Sequence, residues 1–493
     1  MQDTDTDRSR AFLRLKLIRH GFVILNLVLL LVVIPAAQIA QASSEITPPS
    51  QIAPGPTYRP THPREDVFLD VDWYRATLLQ TADLWNGGLD GESGMGVYQP
   101  GFTGFFHVAL NQRWKQIDYD SITTVAQSRA IYMNVEAYRA ADEADKQRFL
   151  DAVNQGVNFL PTYFVDPEYG GYYWQINVDG SVLDDMKQGY GNVHPIFALA
   201  QAYSITHNPA HLQAALDQVD FILANFADPN FPGGLRPNYN RDLTEISGVN
   251  NIDNITHFYE ALLALYDVTE GEQHEKIIDL INLYGGFIVH DLYHDQDGFT
   301  DRGYLAYNYD ENWQPSLLPY TRETQWTGAR QASPGHGIEL AYLFSRAVER
   351  GFDPEWLTVS DKMIKFCFEY AINPETGGML YDLTDYDGTP LEGNPDNPMY
   401  IWWAQMETAR ALLHFTVVRG EDYGAQFKQV EALIHDHLMD QRFGGVFDAV
   451  DSEHKLAPVN TDKGHIWKVN YHYSMFFAEV LRLAAVYPDA IPQ

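Results

Sequence analysis

Cysteine is almost absent from this chain of 493 residues, because Cys367 is the only one. A disulfide within the chain needs two cysteines and the Cys-based zinc sites need more, so the sequence excludes both. With 45% hydrophobic residues, a chain of this length can bury a large core. It therefore needs no covalent cross-link, even in an oxidising compartment.

Basic residues are also scarce. The chain has 33 Lys and Arg residues against 66 Asp and Glu residues, for a formal net charge of −33. A surface this negative repels the phosphate backbone of nucleic acids and the headgroups of anionic lipids. We therefore expect no nucleic-acid partner and no peripheral membrane binding, and the sequence implies no protein partner.

The first 42 residues predict a secretory signal peptide. Five basic residues between Arg8 and Arg19 precede the apolar stretch FVILNLVLLLVVIPAA, and AQA at 40–42 has the small-x-small form of a cleavage site. The apolar stretch is shorter than the roughly 20 residues of a spanning helix, although its retention as an uncleaved anchor stays open. Either outcome predicts an exported, periplasmic or secreted, protein.

Six prolines between Ser43 and Pro63 indicate an extended linker over residues 43–65. The folded domain is expected to occupy residues 66–493. Its length alone suggests about three domains, but the pattern of helices favours one. Twelve stretches have helical periodicity, near 71–86, 119–139, 144–163, 189–206, 209–226, 253–269, 272–291, 334–350, 354–372, 400–416, 421–438 and 469–486.

The connections between these helices alternate in length. Those after the even-numbered helices are a few residues long, whereas those before them run to roughly 25 to 40 residues. Short links make antiparallel hairpins, so the long loops must gather at one end. Odd-numbered helices are apolar on one side and even-numbered helices nearly all round, which indicates an inner ring inside an outer ring. The sequence thus predicts an all-α (α/α)6 toroid of six helical hairpins.

The long loops repeat a common pattern. EYGGYYWQINVDG, ETGGMLYDLTDYDG and RFGGVFDAVD each combine a Gly-Gly pair, an aromatic segment and an Asp-rich turn. This pattern predicts short β-hairpins at the loop-rich rim.

Two His-x-x-Glu pairs stand near the starts of even-numbered helices, His257 with Glu260 and His336 with Glu339. Residues three apart share a helix face, so each pair aims an imidazole and a carboxylate at one spot. From the residues alone three readings are open: a metal centre of the di-iron type, an acid/base pair, or two solvated helix starts. A lone histidine at a helix start is more often a cap than a catalyst.

Further polar and aromatic residues lie on or just before the even-numbered helices. Because those helices begin at one rim, we expect the side chains to converge there. The set comprises Arg129, Tyr190, Trp402, Trp403, Gln405, Glu407, Trp467, Lys468 and His472.

Several of these segments form a recognisable series. SPGHGIELAYLF, THFYEALLAL, WWAQMETARAL and WKVNYH resemble, in order, motifs of the N-acylglucosamine 2-epimerase family, which includes cellobiose 2-epimerases and mannose-type aldose–ketose isomerases. AQSRAIYMNVEAY and GGYYWQINVDG extend the resemblance, which covers roughly residues 70–486. The resemblance implies an (α/α)6 barrel that works on a mono- or disaccharide without metal or nicotinamide cofactor.

The resemblance also implies roles for individual residues. His336 and His472 would be the acid/base pair at C2 of the open-chain sugar, assisted by His257. A neutral imidazole is a suitable base for this chemistry, whether the outcome is 2-epimerisation or aldose–ketose isomerisation. Substrate-binding roles fall to Arg129, Tyr190, Glu260, Glu339, Trp402, Trp403, Trp467 and Lys468.

The chain departs from the family pattern at several positions. Asp253 stands four residues before His257, where cellobiose-type members usually have Asn, and Met475 stands where many members carry Arg. These departures leave the sugar open.

Two other functions remain possible from the sequence. Many (α/α)6 toroids are glycoside hydrolases or polysaccharide lyases, and Asp184, Asp185, Glu260, Glu339 and Glu407 supply carboxylates for such chemistry. A toroid that binds sugar without turnover would keep the same aromatic rim. The Trp402–Trp403 pair is equally compatible with a core position and with stacking on a pyranose.

Overall fold

The computed structural model describes residues 69–88, 98–99, 105–117, 121–325 and 327–491. The predicted signal peptide and linker lie outside these residues. Within the described ranges, none of the helices combines the length and hydropathy that a membrane crossing requires. The described chain forms twelve α-helices: α1 (Val71–Gly87), α2 (Thr124–Ala140), α3 (Lys146–Phe159), α4 (Gly189–Thr206), α5 (Pro209–Asn225), α6 (Ile252–Tyr266), α7 (Gly271–Phe287), α8 (Pro334–Glu349), α9 (Trp356–Phe366), α10 (Trp402–His414), α11 (Gly424–Leu433) and α12 (Tyr471–Val486).

Some predicted boundaries change. Residues 121–123, expected to begin the second helix, form a strand instead. Five helices continue into a π-helical turn, which accounts for predicted stretches longer than the α-helices. These turns are Leu160–Phe164, Ile288–Leu292, Cys367–Ala371, Phe415–Arg419 and Ile434–Leu438.

The even-numbered helices form a closed ring, as predicted. Helix α2 packs against α4, α4 against α6, α6 against α8, α8 against α10, α10 against α12, and α12 against α2. The odd-numbered helices pack outside them, each against its hairpin partner, with α1 against α12 and α2. Because an inner helix has neighbours on every side, it buries nearly its whole surface: in α6 every residue from Asn254 to Leu265 is buried. This confirms the (α/α)6 toroid.

Fourteen short strands lie in the described parts of the loops: β1 (Tyr98–Gln99), β2 (Phe105–Phe106), β3 (Ser121–Thr123), β4 (Gln175–Asn177), β5 (Val182–Asp184), β6 (Lys187–Gln188), β7 (Asn238–Tyr239), β8 (Ile246–Ser247), β9 (Asn250–Asn251), β10 (Tyr293–Asp295), β11 (Gly303–Leu305), β12 (Asn308–Tyr309), β13 (Met399–Ile401) and β14 (Ala449–Asp451). All their pairings are antiparallel. Within single loops the strands form the pairs β1–β2, β4–β5, β7–β8 and β10–β11. Of the three segments quoted above, EYGGYYWQINVDG contributes β4 to such a hairpin, whereas RFGGVFDAVD contributes β14, which pairs with β13 of the neighbouring loop. The segment ETGGMLYDLTDYDG makes only isolated bridges, so the strand expected there is wrong.

Other strands join neighbouring loops of the rim. Strand β3 pairs with β4, β6 with β7, β9 with β12, and β13 with β14, and each pair links the loops that precede two adjacent inner helices. Single bridges between Ala332 and Thr384 and between Leu110 and Gly464 link the remaining loops. Backbone pairing therefore runs around the whole rim and fixes the mouth of the toroid.

The repeated Gly-Gly segments form similar turns. Asp166, Asn373 and Asp440 each use a side-chain oxygen to accept a backbone N–H two residues later. The backbone N–H of each also donates to the carbonyl of the second glycine of its pair. Gly170 and Gly171 have φ of 74° and 64°, a region that glycine adopts without a steric penalty. These turns let the loops reverse above the inner helices.

Candidate active site

The inner helices and rim loops enclose a cavity of about 640 Å³. A volume of this size accommodates a small ligand such as a sugar. Nine of the eleven predicted site residues line it, namely Arg129, Tyr190, His257, His336, Glu339, Trp402, Trp403, Trp467 and His472. The predicted convergence of these side chains on one place is therefore observed.

His472 lies in the first turn of α12, where it faces α10. Its Nδ1 lies 2.7 Å from Oε1 of Glu407, and both side chains are buried. Because a carboxylate only accepts hydrogen bonds, Nδ1 carries the proton and Nε2 keeps its lone pair. Burial, together with the positive charge of Arg129, holds the pKa of His472 well below its ordinary value. His472 is therefore a neutral base at physiological pH.

His257 is also neutral and has a similar arrangement. Its Nδ1 lies 3.2 Å from Oε2 of Glu260, one turn later in α6, and its Nε2 lies 3.4 Å from the hydroxyl of Tyr190. Burial lowers the pKa of His257, and the adjacent Glu260 only partly offsets this effect. Since Arg129 donates to the same tyrosine hydroxyl over 2.6 Å, that hydroxyl is left to donate to Nε2 of His257.

His336 has different partners from those of the other two histidines. Its Nδ1 lies 2.7 Å from Oγ of Ser333, and its Nε2 lies 2.8 Å from Oδ1 of Asp253 in a close ion-pair contact rather than an aligned hydrogen bond. A lone pair on Nε2 would face a carboxylate oxygen, so Nε2 carries a proton. His336 is therefore set up as a proton donor toward the side of the cavity where Asp253 lies.

Helix α8 begins in a way that places His336 close to the rim. Pro334 occupies its first position, where the missing N–H costs nothing. Gly335 follows, and a Cβ there would lie only 2.4 Å from the indole of Trp403. Trp403 can therefore lie against the start of α8, with its ring 5.2 Å from that of His336 and 5.7 Å from that of His472.

Asp253 lies in the first turn of α6, and two partners hold its side chain in place. Besides His336, its other oxygen accepts a hydrogen bond from the Tyr307 hydroxyl at 2.8 Å. Burial alone would raise the pKa of Asp253, but His336 and Tyr307 bring it below its usual value. Asp253 is thus an ionised carboxylate that lines the cavity.

Glu339 lies deeper than the histidines and is fully buried. Burial, reinforced by the nearby carboxylates of Glu407 and Glu260, raises its pKa well above the usual value. Neither oxygen has a hydrogen-bond partner within the described chain. The predicted His336–Glu339 pair therefore does not form a hydrogen bond, although His257 and Glu260 do.

Aromatic rings and one arginine form the rest of the wall. Trp402 meets His472 edge to face at 5.3 Å, and Trp467 packs against Trp174 at 5.3 Å while remaining 40% exposed. Arg129 donates to the Trp467 carbonyl and lies 4.7 Å from the ring of Tyr471. Its Nε has no hydrogen-bond partner among the described residues. This wall offers flat apolar surfaces and one cation to a polar ligand.

Two predicted binding residues do not line the cavity. Lys468 is buried, and its Nζ donates to the carbonyls of Val446 and Asp462 at 3.0 Å each. Burial lowers its pKa to about 8. Glu260 is held behind the wall by His257 and by the hydroxyl of Tyr471. Both residues support the wall rather than face a ligand.

Carboxylates outnumber cations in this lining. Asp253, Glu339, Asp382, Asp396 and Asp448 line the cavity, whereas Arg129 is the one Lys or Arg side chain among the described lining residues. Burial and the neighbouring Asp396 raise the pKa of Asp382 to about 7. Its Oδ1 is buried without a hydrogen-bond partner among the described atoms. A ligand with hydroxyl donors suits such a wall better than an anion does.

Two sets of side chains have spacings that a metal ion could use. His257, His336 and Glu339 form one set and Glu339, Glu407 and His472 the other, and within each set the ligand atoms lie within 4.8 Å of one another. One ring nitrogen of each histidine already has a carboxylate partner: Glu260 for His257, Asp253 for His336 and Glu407 for His472. Arg410 also forms a buried ion pair with Glu407, which reduces the negative charge available to a cation.

Glu339 and Glu407 do not have the spacing of an inverting hydrolase pair. Glu339 and Glu407 come within 4.8 Å of each other, which is shorter than the roughly 6.5 to 9.5 Å of an inverting pair. Asp184 and Asp185 are not part of the cavity lining. His257, His336 and His472 line the cavity together with its carboxylates.

Sequence reasoning missed how two side chains act on the histidines. The sequence marks Asp253 only as a departure from the family pattern, and it places Glu407 at the rim and among the carboxylates of a possible hydrolase, without a histidine partner. The sequence gives little indication of these contacts, because Asp253 and Glu407 each lie on a different helix from the histidine that they contact. Arg410, one turn after Glu407, is the feature that marks this glutamate as a charged internal residue.

Comparison with known proteins agrees with this geometry. The family model for N-acylglucosamine 2-epimerase matches residues 104–474. The cellobiose 2-epimerase of Bacteroides fragilis is 25% identical over 72% of this chain and 86% of its own. The N-acylglucosamine 2-epimerase of Rattus norvegicus is 25% identical over 72% of this chain and 80% of its own.

A solved structure shows the same fold. The crystal structure of a D-mannose isomerase superposes with a TM-score of 0.72 at 20% identity, and it covers 86% of this chain and 100% of its own. The family model spans most of the toroid, including the three histidines described above. The chain therefore belongs to the N-acylglucosamine 2-epimerase family.

Proposed function

We propose that this protein interconverts sugars at C2, as a 2-epimerase or an aldose–ketose isomerase, by proton transfer between histidines. The observation that carries the proposal is that two histidines with different carboxylate partners, His472 with Glu407 and His336 with Asp253, line one cavity. His472 presents a lone pair on Nε2, and His336 presents a proton on Nε2. A base and an acid are thus available to the same substrate without any change of tautomer.

The reaction begins with an open-chain aldose, whose C2 proton is acidified by the neighbouring carbonyl. His472 removes that proton through Nε2, and Glu407 stabilises the imidazolium that forms. Negative charge then develops on the enediolate oxygens. The guanidinium of Arg129 and the Nε2–H of His336 are two lining donors that can stabilise it.

His257 and Tyr190 are suited to the earlier step of ring opening. The tyrosine hydroxyl lies between Arg129 and Nε2 of His257, so a sugar hydroxyl could replace it as the donor to this nitrogen. His257 accepts the proton of the anomeric hydroxyl and delivers it to the ring oxygen as the C1–O5 bond breaks, which releases the aldehyde and a hydroxyl group at C5. Glu260 keeps the proton of His257 on Nδ1 and so keeps Nε2 available.

The two outcomes use the same groups differently. Epimerisation requires His336 to return a proton to C2 on the face opposite to His472. Isomerisation requires His472 to deliver to C1 the proton that it removed from C2. The cavity is large enough for a monosaccharide or a disaccharide, and the relatives named above include proteins named for cellobiose and for N-acylglucosamine.

Proton NMR in heavy water tests the reaction class directly. Glucose, mannose, cellobiose and N-acetylglucosamine are each incubated with the protein and followed for deuterium at C2, for the C2 epimer and for the ketose. We expect deuterium at C2 together with one of these products, and we expect the rate to survive extensive chelation. Cleavage of the glycosidic bond without exchange at C2 would instead establish a hydrolase, and binding without any change would establish a sugar-binding protein.

Two variants and a control assign the histidines. Replacing His472 or His336 by Asn is expected to reduce product formation by roughly 10²- to 10⁴-fold, because general acid/base groups contribute about this much. The control is His211→Asn, a buried histidine on the outer helix α5 whose partners are Thr206 and Asn208. If both cavity variants stay within a few-fold of wild type while the protein turns over sugar, the histidine mechanism is wrong.

The N-terminal sequence also bears on the cellular location of the protein. We propose that the protein is exported, on the support of the basic segment, the apolar stretch and the AQA site at 40–42. Mass spectrometry of the mature chain from fractionated cells tests this. A start at residue 43 would support cleavage, an intact N-terminus in the membrane fraction would support an uncleaved anchor, and an intact chain in the cytoplasm would contradict export.

A further inference from the structure

Among the described residues of the cavity lining, Glu339 is the one carboxyl group with both oxygens buried and without a hydrogen-bond partner. Its side chain is fully buried, yet neither of its oxygens has a hydrogen-bond partner among the described atoms. By contrast, the carboxylates that contact the three histidines, those of Asp253, Glu260 and Glu407, each accept at least one hydrogen bond. Leaving a buried polar group unsatisfied costs free energy, so such a group in a cavity indicates a function.

Glu339 also has a central position. Its carboxylate lies within 4.8 Å of ring nitrogens of His257 and His336, and within the same distance of His472 and Glu407. It is the one residue that belongs to both groups. A separation of this size can be bridged by a direct hydrogen bond after a small movement, or by one water molecule. Glu339 therefore connects the proposed base to the proposed acid.

Its surroundings favour the neutral form over the ionised one. Burial raises the pKa of Glu339 well above its usual value, and the carboxylates of Glu407 and Glu260 raise it further. The guanidinium groups of Arg410 and Arg129 oppose this shift without reversing it. A neutral carboxyl group can donate one proton and accept another, which neither an ionised carboxylate nor an amide can do.

Epimerisation by two histidines leaves the enzyme in the wrong proton state after each turnover. His472 has gained the proton from C2, and His336 has lost its own proton to the opposite face of C2. Before the next substrate molecule can react, one proton must pass from His472 to His336. Both groups are largely buried, so exchange with solvent at each of them is hindered.

We propose that Glu339 returns this proton inside the protein, and this proposal rests on the proposed 2-epimerase function. The carboxyl group of Glu339 donates its proton to the deprotonated nitrogen of His336. The resulting carboxylate then accepts the proton held by the His472 imidazolium. One proton has moved between the histidines, Glu339 is again neutral, and no other reactant is consumed.

The test compares the first turnover with later ones. Glu339→Gln keeps the size of the side chain but cannot relay a proton. With enzyme in excess over sugar, it should form product at a rate within a few-fold of wild type, because the first turnover needs no return of the proton. With sugar in excess, a burst of about one product per site should precede a steady rate lower by roughly 100-fold. Small buffers such as imidazole or formate should raise that steady rate.

Three further measurements complete the design. Glu339→Asp retains a carboxyl group and should keep a steady rate closer to its single-turnover rate. Glu136→Gln, a buried glutamate on α2 outside the cavity lining, is the control and should leave both rates unchanged. The wild-type kcat should not depend on buffer concentration.

Several results would overturn the relay. A wild-type kcat that rises with buffer concentration would show that protons return through solvent, and this measurement needs no variant. Equal losses in the single-turnover and steady rates of Glu339→Gln would indicate a positioning role instead. A wild type that forms only ketose would refute the relay while supporting the proposed function, because isomerisation needs no return step. If the wild type exchanges no proton at C2, both proposals fail.

Discussion

Replacing Glu407 by Gln is expected to slow turnover because it removes a charge from the partner of the catalytic base. His472 donates from Nδ1 to Glu407 over 2.7 Å in a buried pair. Gln can still accept this hydrogen bond, but as a neutral group. A hydrogen bond to a charged group contributes roughly 1.5 to 3 kcal/mol, and a neutral one about half as much or less. The difference is roughly 0.75 to 1.5 kcal/mol or more, and about 1.4 kcal/mol is tenfold in rate, so we expect kcat to fall at least about 3- to 10-fold.

Arg410 complicates the interpretation of this variant. Its guanidinium is 3% exposed and forms a buried ion pair with Glu407. Removing one partner of such a pair costs about 3 to 5 kcal/mol in unfolding free energy, whereas removing both is close to neutral. The double variant Glu407→Gln/Arg410→Met should therefore recover much of the stability. It should not recover the rate, because the charge beside His472 is still missing.

The chain contains a matched control outside the catalytic cavity. His414, Glu479 and Arg482 form a second His–Glu–Arg group, in which Nδ1 of His414 lies 2.8 Å from Glu479; His414 and Glu479 are buried, and the side chain of Arg482 is 24% exposed. Glu479→Gln should destabilise the fold in the same way while leaving kcat unchanged. Thermal unfolding and product formation are measured on the same samples. The reasoning is refuted if the two Glu→Gln variants lose kcat equally, or if the double variant regains the wild-type rate.

Three further predictions follow from other parts of the cavity. Gly335→Ala is expected to displace Trp403 and to reduce kcat at least about tenfold. Gly337→Ala should keep wild-type activity, because a Cβ at Gly337 meets no atom closer than 3.9 Å. Equal losses of kcat in the two variants would contradict the close contact between Gly335 and Trp403. Because burial holds the pKa of His472 well below 6.5, its neutral form persists on acidification, so a pH profile of kcat/KM should stay level down to pH 6.5 and decline only at lower pH. The unfolded chain binds a proton to this histidine near pH 6.5, so the unfolding free energy should also fall as the pH drops below that value, as thermal unfolding can show. The acidic lining should make kcat/KM for hexose 6-phosphates at least about tenfold lower than kcat/KM for neutral hexoses. Asp382→Asn should reduce this difference between the two substrates. If the difference is unchanged, the Asp382 carboxylate has no role in substrate selection.

The sequence predicts the ring more completely than it predicts the site. Alternating loop lengths and the contrast between one-sided and uniformly apolar helices are local properties, and together they leave few arrangements other than a closed double ring. The pairing of rim loops is less visible, because strands of two or three residues carry little periodicity. The segment 375–388 illustrates this, since its aromatic pattern suggests a strand and the structure has only single bridges there.

The two His-x-x-Glu pairs show why the site could be predicted only in part. Equal spacing in the sequence suggests equal arrangements, and His257 does pair with Glu260. His336 instead meets Asp253 from a neighbouring helix, because it lies in the first turn of α8 and close to the start of α6. Its expected partner Glu339, one turn deeper, is left without a hydrogen bond. Partners that come from another helix depend on how the helices are placed around the ring, which spacing along one helix does not report.

The contact between α12 and α2 closes the ring, and it has a consequence for folding. Arg129 on α2 donates to the carbonyl of Trp467, a contact between residues 338 positions apart. Joining segments so distant carries an entropic cost that nearer contacts do not, so this contact is expected to form late. His472 follows five residues after Trp467, and thus the cavity around the proposed base is complete only when the ring closes. Appearance of catalytic activity during refolding should therefore report the last step of assembly, after helix formation seen by circular dichroism is complete.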